Sequence, residues 1–163
     1  MNSTLNKIDK RTSYVNFKIG TENYAISVYK VLEIIQLDQL TTMPNSSVYI
    51  LGVLNFRGSV VPVIDMHKRF NTKGEDRESN MVIIVNIINN NNDVLMGLLV
   101  DEVTDVIEFE YKEINTAPNI GIKYNPEFLE GFVKKEEAFV MVLNVDKVLN
   151  VTELAEISET LVE

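Results

Sequence analysis

The chain has 163 residues, of which 45% are hydrophobic, a formal net charge of −9 and no cysteine. This hydrophobic content is sufficient for a packed core, and the missing cysteines exclude disulfides, thiolate catalysis and cysteine-ligated zinc. The excess of carboxylates argues against nucleic-acid partners, because phosphate contacts depend on clustered Lys and Arg.

The N-terminal segment, residues 1–11, is polar and has no apolar stretch of the length that a secretory signal requires. The longest uninterrupted apolar run, residues 94–100, is far shorter than the roughly 20 residues of a membrane-spanning helix. We therefore expect a cytoplasmic protein without direct membrane insertion, in which residues 94–100 form a buried strand.

Short strands are predicted along the first half of the chain. Apolar and polar residues alternate over 15–19 and again over 24–28, with a polar turn between them, which is typical of a hairpin with one buried face. Residues 31–37 continue as a third strand.

A second hairpin is predicted around Gly58, between the apolar runs 53–56 and 60–64. A glycine directly before Ser59 suits a type II′ turn, whose first central residue has positive φ. Pro62 has no backbone N–H to donate, so we expect it at a sheet edge or a bulge.

The strand pattern repeats in the second half, after the polar segment 71–80. The repeat is seen when the sequence is aligned with itself at two offsets. At an offset of 79, residues 49–70 match residues 128–149 without a gap. At an offset of 72, four apolar residues of the first half match four of the second: Ile26, Val28, Val31 and Ile34 match Leu98, Val100, Val103 and Val106. Gly52 matches Gly131 at the offset of 79. These matches indicate an internal duplication.

Two copies of five short strands predict two small, partly open antiparallel barrels packed together. We place the first barrel at approximately 13–75 and the second at approximately 80–149. Residues 151–161 predict an amphipathic C-terminal helix, with an apolar stripe that docks on the barrels.

No motif in the sequence predicts catalysis, a cofactor or a metal centre. His67 is the only histidine, and a lone histidine without a marked partner is more often a surface or helix-start residue than a catalytic one. A dense carboxylate loop for a metal ion and a glycine-rich loop for a phosphate are both missing.

Three acidic residues, Asp101, Glu102 and Asp105, could in principle form an acid–base pair. The simpler interpretation places them on the solvent side of strands, because solvated carboxylates are far more common than catalytic pairs. The inner face of these strands would then carry the valines at 100, 103 and 106.

Arg57 is the candidate binding residue that the repeat singles out. Where the first copy has Arg57-Gly58 the second has Glu136-Glu137, so the turn itself does not require arginine. Arginine offers five donors in a rigid fork and is enriched at the energetic centres of interfaces, while a solvated role at a hairpin tip is about equally favoured by the residues alone. Glu33 could pair with Arg57, although an exposed pair contributes only about 0–1 kcal/mol.

Three segments of the chain resemble the CheW family of chemotaxis coupling proteins. They read "YAISVYKVLEII", "YILGVLNFRGSVVPVIDM" and "GLLVDEVTDV", and the likeness extends over nearly everything from Ser13 to Leu161. The resemblance implies a single CheW-like domain over 13–163, mostly β, built from two intertwined, five-stranded SH3-like barrels with short connecting helices.

The resemblance also implies a non-catalytic adaptor without cofactors. Such a protein binds the regulatory domain of the chemotaxis histidine kinase CheA and the cytoplasmic tip of methyl-accepting chemoreceptors, and is recruited to membrane receptor arrays. By position, three residues match family residues implicated in receptor binding: Val31, Glu33 and Arg57. Gly52 matches a glycine needed for coupling of receptor and kinase, and Gly58 is a structural residue of the turn. Kinase contacts are not assigned to residues.

Other functions remain open from the residues alone. A generic peptide-binding barrel would need an aromatic groove, but the chain has no Trp. A hydrolase using Asp101, Asp105 or His67 would show turnover that is lost in a His67→Ala variant. An oligonucleotide-binding barrel is disfavoured by the net charge.

Overall fold

The computed structural model describes residues 11–42, 48–70, 81–89, 91–116 and 126–148. The predicted C-terminal helix at 151–161 lies outside these residues. Within them the chain forms ten strands: β1 (Arg11–Ile19), β2 (Glu22–Ser27), β3 (Val31–Gln36), β4 (Ile50–Phe56), β5 (Ser59–Asp65), β6 (Met81–Asn89), β7 (Asn92–Val100), β8 (Glu102–Glu110), β9 (Leu129–Lys135) and β10 (Ala138–Leu143). One helical turn, α1 (Met66–Arg69), follows β5, and 3₁₀ turns lie at Val28–Lys30, Tyr111–Glu113, Pro126–Phe128 and Val145–Lys147.

The strands form two five-stranded sheets that exchange hairpins. Sheet A has the order β8-β1-β2-β10-β9, and sheet B has the order β3-β6-β7-β5-β4. The β1–β2 hairpin therefore completes a sheet with strands of the second half, and the β6–β7 hairpin does the same with strands of the first half. Each sheet takes strands from both 13–75 and 80–149, which is the intertwining that the family resemblance implied.

Most strand pairs are antiparallel, as expected, but β5–β7 and β2–β10 pair in parallel. The difference follows from the hairpin exchange. A tight turn forces two strands to be antiparallel, whereas strands that come from different copies have no such constraint.

An isolated bridge brings the two edges of each sheet together. In sheet B, Thr41 follows β3 and exchanges two backbone hydrogen bonds of 2.8 Å with Val53 of β4. In sheet A, Asn115 follows β8 and bonds Phe132 of β9 in the same way, at 2.9 and 2.8 Å. These matched bridges curl each sheet into a small barrel.

Glycines stand beside both bridges because the backbones approach too closely for a side chain. A Cβ atom at Gly52 would lie 2.4 Å from the carbonyl oxygen of Thr41, and one at Gly131 would lie 2.1 Å from that of Asn115. The two glycines that the internal repeat matched are therefore the closure residues of the two barrels.

Three apolar clusters make up the core. The interior of sheet A contains Tyr14, Ala25, Phe109, Val133, Val140 and Val142, and the interior of sheet B contains Leu54, Phe56, Val61, Val63, Val82, Ile84 and Leu99. The largest cluster draws side chains from both sheets and from α1, among them Phe17, Tyr24, Met66, Val85 and Leu98. Because this inter-barrel cluster joins the sheets, the two barrels form one packed body.

Pro62 lies in an interior strand, so its predicted edge or bulge position is wrong. It pairs with Val53, whose N–H and carbonyl point away from β5 to Thr41. On the other side of β5, the register with β7 begins only at Val63. No ladder hydrogen bond from Pro62 is needed, which explains why proline is tolerated there.

Val106 is on the exposed side of β8, which corrects the predicted inner face. The register between β1 and β8 shifts so that Val15 pairs with Val106 and Phe17 pairs with Val103. Val103 packs against the inter-barrel cluster, whereas Val106 is 60% exposed. The predicted inner face placed valines three positions apart, whereas regular alternation along a strand puts residues three positions apart on opposite faces.

Candidate partner-binding site

Strand β3 is an edge strand of sheet B and has a pronounced two-residue pattern of exposure. Val31, Glu33 and Ile35 are half-buried, whereas Leu32 and Ile34 are exposed, by 43% and 37%. The register with β6 shifts between Val31 and Glu33, so the strand bulges where these side chains lie. An edge strand that presents Leu32 and Ile34 to solvent is a surface on which an apolar partner can be buried.

The turn between β4 and β5 consists of Arg57 and Gly58, with φ angles of 52° and 84°. Two positive φ angles are typical of a type I′ turn, so the predicted type II′ turn is wrong. The side chain of Asn55 explains the difference, because its Oδ1 accepts the Gly58 N–H at 3.0 Å and closes the turn. Arg57 therefore stands at the first central position of the turn.

Arg57 and Glu33 form an ion pair across the end of the sheet B barrel. The guanidinium Nη2 lies 2.6 Å from Glu33 Oε1, and the guanidinium carbon is 4.8 Å from the ring centroid of Phe56. The two side chains are 67% and 40% exposed. Glu33 and Phe56 thus hold the arginine in one orientation while most of its surface stays open to solvent.

The matching turn on sheet A shows what the fold requires at this position. Glu136 also has a left-handed backbone, with φ of 56°, so the conformation is retained while the charge is reversed. Val60 and Phe139, which match at the offset of 79, are both more than half exposed. The turn geometry belongs to the fold, whereas the Arg57–Glu33 pair is particular to sheet B.

His67 is buried in α1, with 5% of its surface exposed, so the predicted surface position is wrong although the helix start is right. Its Nε2 lies 2.7 Å from Asp101 Oδ2, and the same oxygen accepts the Gly20 N–H at 2.6 Å. Met66 anchors α1 in the inter-barrel cluster, which draws the neighbouring His67 inward.

The three acidic residues considered as an acid–base site do not converge. Asp101 contacts His67 and Gly20, while Asp105 Oδ1 accepts hydrogen bonds from Asn16 and Thr104. Asp105 and Glu102 are exposed, as the simpler interpretation expected. Among the described residues, no group of three or more histidines and carboxylates is placed to hold a metal ion.

The described part of the chain contains no helix that is long and apolar enough to cross a membrane. Comparison with known proteins identifies the family of this chain. The sequence model of the CheW-like domain matches residues 13–153.

The chain belongs to the CheW family. The chemotaxis protein CheW of Klebsiella aerogenes is 32% identical over 156 residues, which cover 94% of this chain and 92% of that protein. CheW of Bacillus subtilis is 35% identical over 135 residues, with 82% and 84% covered. The crystal structure of the scaffolding protein TtCheW from Thermoanaerobacter tengcongensis superimposes with a TM-score of 0.79 at 26% identity, covering 88% of this chain and 91% of that one.

The CheW assignment confirms the resemblance seen in the sequence and the mostly β fold with two five-stranded sheets. It also favours a non-catalytic chemotaxis adaptor and scaffold over a generic peptide-binding module. Sequence reasoning named Val31, Glu33 and Arg57 but missed Leu32 and Ile34 as exposed side chains. The signal was their place between the named residues in an edge strand, where alternation puts every second apolar residue outside.

Proposed function

We propose that this CheW-family protein couples chemoreceptors to the chemotaxis histidine kinase by binding a receptor helix on β3 and the kinase through a separate surface. The supporting observation is that the exposed apolar pair Leu32 and Ile34 lies on the same edge strand as Glu33, which orients Arg57. Apolar side chains of a helix would be buried on Leu32, Ile34 and the half-buried Val31. Arg57 and Glu33 would fix the register of that helix by hydrogen bonds and charge.

An arrangement of this kind concentrates binding energy in few residues. Interface hot spots combine a desolvated apolar centre with an arginine, and the surrounding contacts mainly exclude water. The ion pair holds Arg57 before the partner arrives, so less side-chain freedom is lost on binding. Receptor affinity should therefore depend more on Arg57 than its modest contribution to folding suggests.

The regulatory domain of the kinase CheA would occupy another face, with one barrel end of this protein packed against the related barrel of the kinase. If each partner changes the affinity of this protein for the other, receptor state and kinase state are thermodynamically coupled through it. The protein itself would act in the cytoplasm, recruited to membrane arrays by the receptor tips.

The test is a pull-down of a purified receptor cytoplasmic fragment and the kinase regulatory domain with wild type, Arg57→Glu, Glu33→Lys and the double variant Arg57→Glu/Glu33→Arg. Circular dichroism checks folding. We expect all three variants to lose the receptor and keep the kinase. The double variant is decisive, because it restores the internal ion pair but not the charges presented to the helix.

Glu136→Arg is the matched control, since it changes charge at the equivalent turn of sheet A. It should leave receptor binding intact. If the double variant regains receptor binding, the pair acts only within the protein and the proposed register role is wrong. If the folded wild type retains neither partner, coupling fails and a generic binding module becomes the better description.

A further inference from the structure

The chain passes from one sheet to the other at two matched places. It leaves sheet A for sheet B through the 3₁₀ turn Val28–Lys30, between β2 and β3. It leaves sheet B for sheet A at Asp101, the single residue between β7 and β8. At each crossover a charged side chain contacts a residue in the helical turn after the last strand of one half.

The first crossover is held by Lys30. Its Nζ lies 3.1 and 3.0 Å from the two carboxylate oxygens of Asp146, in the 3₁₀ turn that follows β10. Asp146 Oδ1 also accepts the backbone N–H of Ile88, near the end of β6, at 3.1 Å. One carboxylate thus joins the crossover to elements of both sheets.

The second crossover is held by a similar contact, but here the carboxylate lies at the crossover and the nitrogen donor or acceptor lies after the strand. Asp101 supplies the carboxylate, His67 is its partner after β5, and Gly20 at the tip of the β1–β2 hairpin donates its N–H. His67 and Asp146 match at the offset of 79 that relates the two halves of the sequence. The two contacts are therefore equivalent in the fold, although their residues differ.

The two contacts lead into different strands. Asp101 precedes β8, whereas Lys30 directly precedes Val31, the first residue of the candidate partner-binding site. We propose that Lys30 and Asp146 are positioning residues for β3, an inference that rests on the proposed receptor-binding function: their ion pair sets where the binding strand begins and how it is oriented on the body of the protein.

At the start of the crossover turn, Val28 packs against the inter-barrel cluster, and the Lys30–Asp146 pair holds the other end of the turn. The turn is three residues long, and Ser27 Oγ accepts the Tyr29 N–H at 3.2 Å. Tyr29 is 85% exposed and so contributes little packing. The side chains of Lys30 and Asp146 are only 28% and 34% exposed, so this ion pair is less screened than the surface pair at Arg57.

The experiment measures the dissociation constant of a receptor cytoplasmic fragment for full-length variants by titration calorimetry. Lys30→Met removes the cation, and Asp146→Asn removes the negative charge while keeping an acceptor for Ile88. Each should weaken receptor binding at least about fivefold, the lower end of typical coupling between sites. Lys30→Arg retains the ion pair and should stay within about twofold of wild type.

Asp101→Asn is the matched control, because it makes the same chemical change at the equivalent crossover and also keeps an acceptor oxygen. It should leave receptor affinity unchanged even if urea unfolding shows a loss of stability similar to that of Asp146→Asn. If Asp101→Asn loses as much receptor affinity as Asp146→Asn, the loss is caused by lower stability in general. That result would overturn the positioning role.

Two further outcomes would also overturn it. Unchanged affinity in Asp146→Asn together with weak binding of Lys30→Met would mean that Lys30 contacts the receptor itself. If Lys30→Met and Asp146→Asn both bind the receptor fragment as wild type does while Arg57→Glu does not bind it, the positioning role is wrong. The proposed receptor-binding function is then unaffected. A wild type that binds no receptor fragment would instead remove the proposed function as well.

Discussion

Arg57 illustrates how a residue can matter for binding and little for folding. Its pair with Glu33 is short, at 2.6 Å, but both side chains are well exposed. Solvent screening and the entropy of ordering two long side chains limit such pairs to about 0–1 kcal/mol. The geometry that the pair imposes is thus more important for the proposed function than the stability it supplies.

Replacement of Glu33 by Gln should separate these two effects. We expect the free energy of unfolding to fall by no more than about 1 kcal/mol, because an exposed ion pair is lost. Receptor binding should fall much further, because the neutral amide holds Arg57 by a weaker hydrogen bond and presents no charge to the receptor helix. Urea unfolding and calorimetry measure the two quantities. Glu136→Gln serves as control, and a parallel loss in both quantities would contradict the prediction.

Glu130 is predicted to make stability depend on pH. Its pKa is raised by partial desolvation, although the residue is exposed at the surface, and further by the charge of Asp146, while Lys30 lowers it. Because the folded pKa lies above the unfolded one, the contribution to stability is present at acid pH and is lost as pH rises through the folded pKa. Glu130→Gln should therefore stabilise the fold at neutral pH and not at acid pH, as measured by urea unfolding at both.

A second measurement tests the cause of this shift. Nuclear magnetic resonance titration of the Glu130 carboxyl should show a higher pKa in Lys30→Met and a lower one in Asp146→Asn, since these variants remove the lowering and the raising charge. A pKa that moves in neither variant would show that desolvation alone causes the shift.

At the scale of strands, closure of the barrels depends on two glycines. The bridges Thr41–Val53 and Asn115–Phe132 leave no space for a side chain at Gly52 and Gly131. Gly52 was predicted as a coupling or turn residue from the family resemblance. The structure places it inside β4 at the barrel seam, while its role in coupling stays a prediction.

Gly52→Ala should destabilise the protein by about 1–3 kcal/mol, the usual cost of overpacking. The added methyl group would meet a backbone carbonyl, which cannot move aside as a flexible side chain can. Gly131→Ala should behave similarly. Gly58→Ala is the informative comparison, because a Cβ there meets nothing within 4 Å and only the left-handed φ is unfavourable. Equal urea midpoints for Gly52→Ala and wild type would refute the steric explanation.

At the scale of the whole molecule, the hairpin exchange makes the two halves of the chain dependent on each other. Neither sheet is complete without strands from both halves, and the inter-barrel cluster contains side chains from both sheets. The two barrels should therefore unfold together in one transition.

Fragments test this dependence directly. A fragment of residues 1–75 lacks β6 and β7, and a fragment of residues 76–163 lacks β1 and β2. We expect neither to show a cooperative thermal transition by circular dichroism, and an equimolar mixture to recover one. Cooperative folding of fragment 1–75 by itself would show that consecutive segments form independent barrels.

Local patterns in the sequence were enough for the strands and indicated the duplication, whereas the receptor-binding roles of Val31, Glu33 and Arg57 came from the family resemblance and stay predictions. Alternation reports which side of a strand is buried, so β1, β2 and β3 were predicted within a few residues. The prediction failed at Val106, which was placed on the same face as a valine three positions away, and at His67, whose burial is imposed by packing of a neighbouring element. The type of the Arg57-Gly58 turn was also missed, because it depends on the side chain of Asn55.

Side-chain periodicity and turn residues act over a few positions, so the amino-acid sequence alone predicted a duplicated, mostly β domain, and its motifs indicated the family. These short-range patterns do not determine which distant strands pair with each other. The exchange of hairpins, the parallel pairs and the contact of Lys30 with Asp146 depend on which arrangement buries the largest shared core. That balance is settled only when both halves pack together, so only the tertiary structure reveals it.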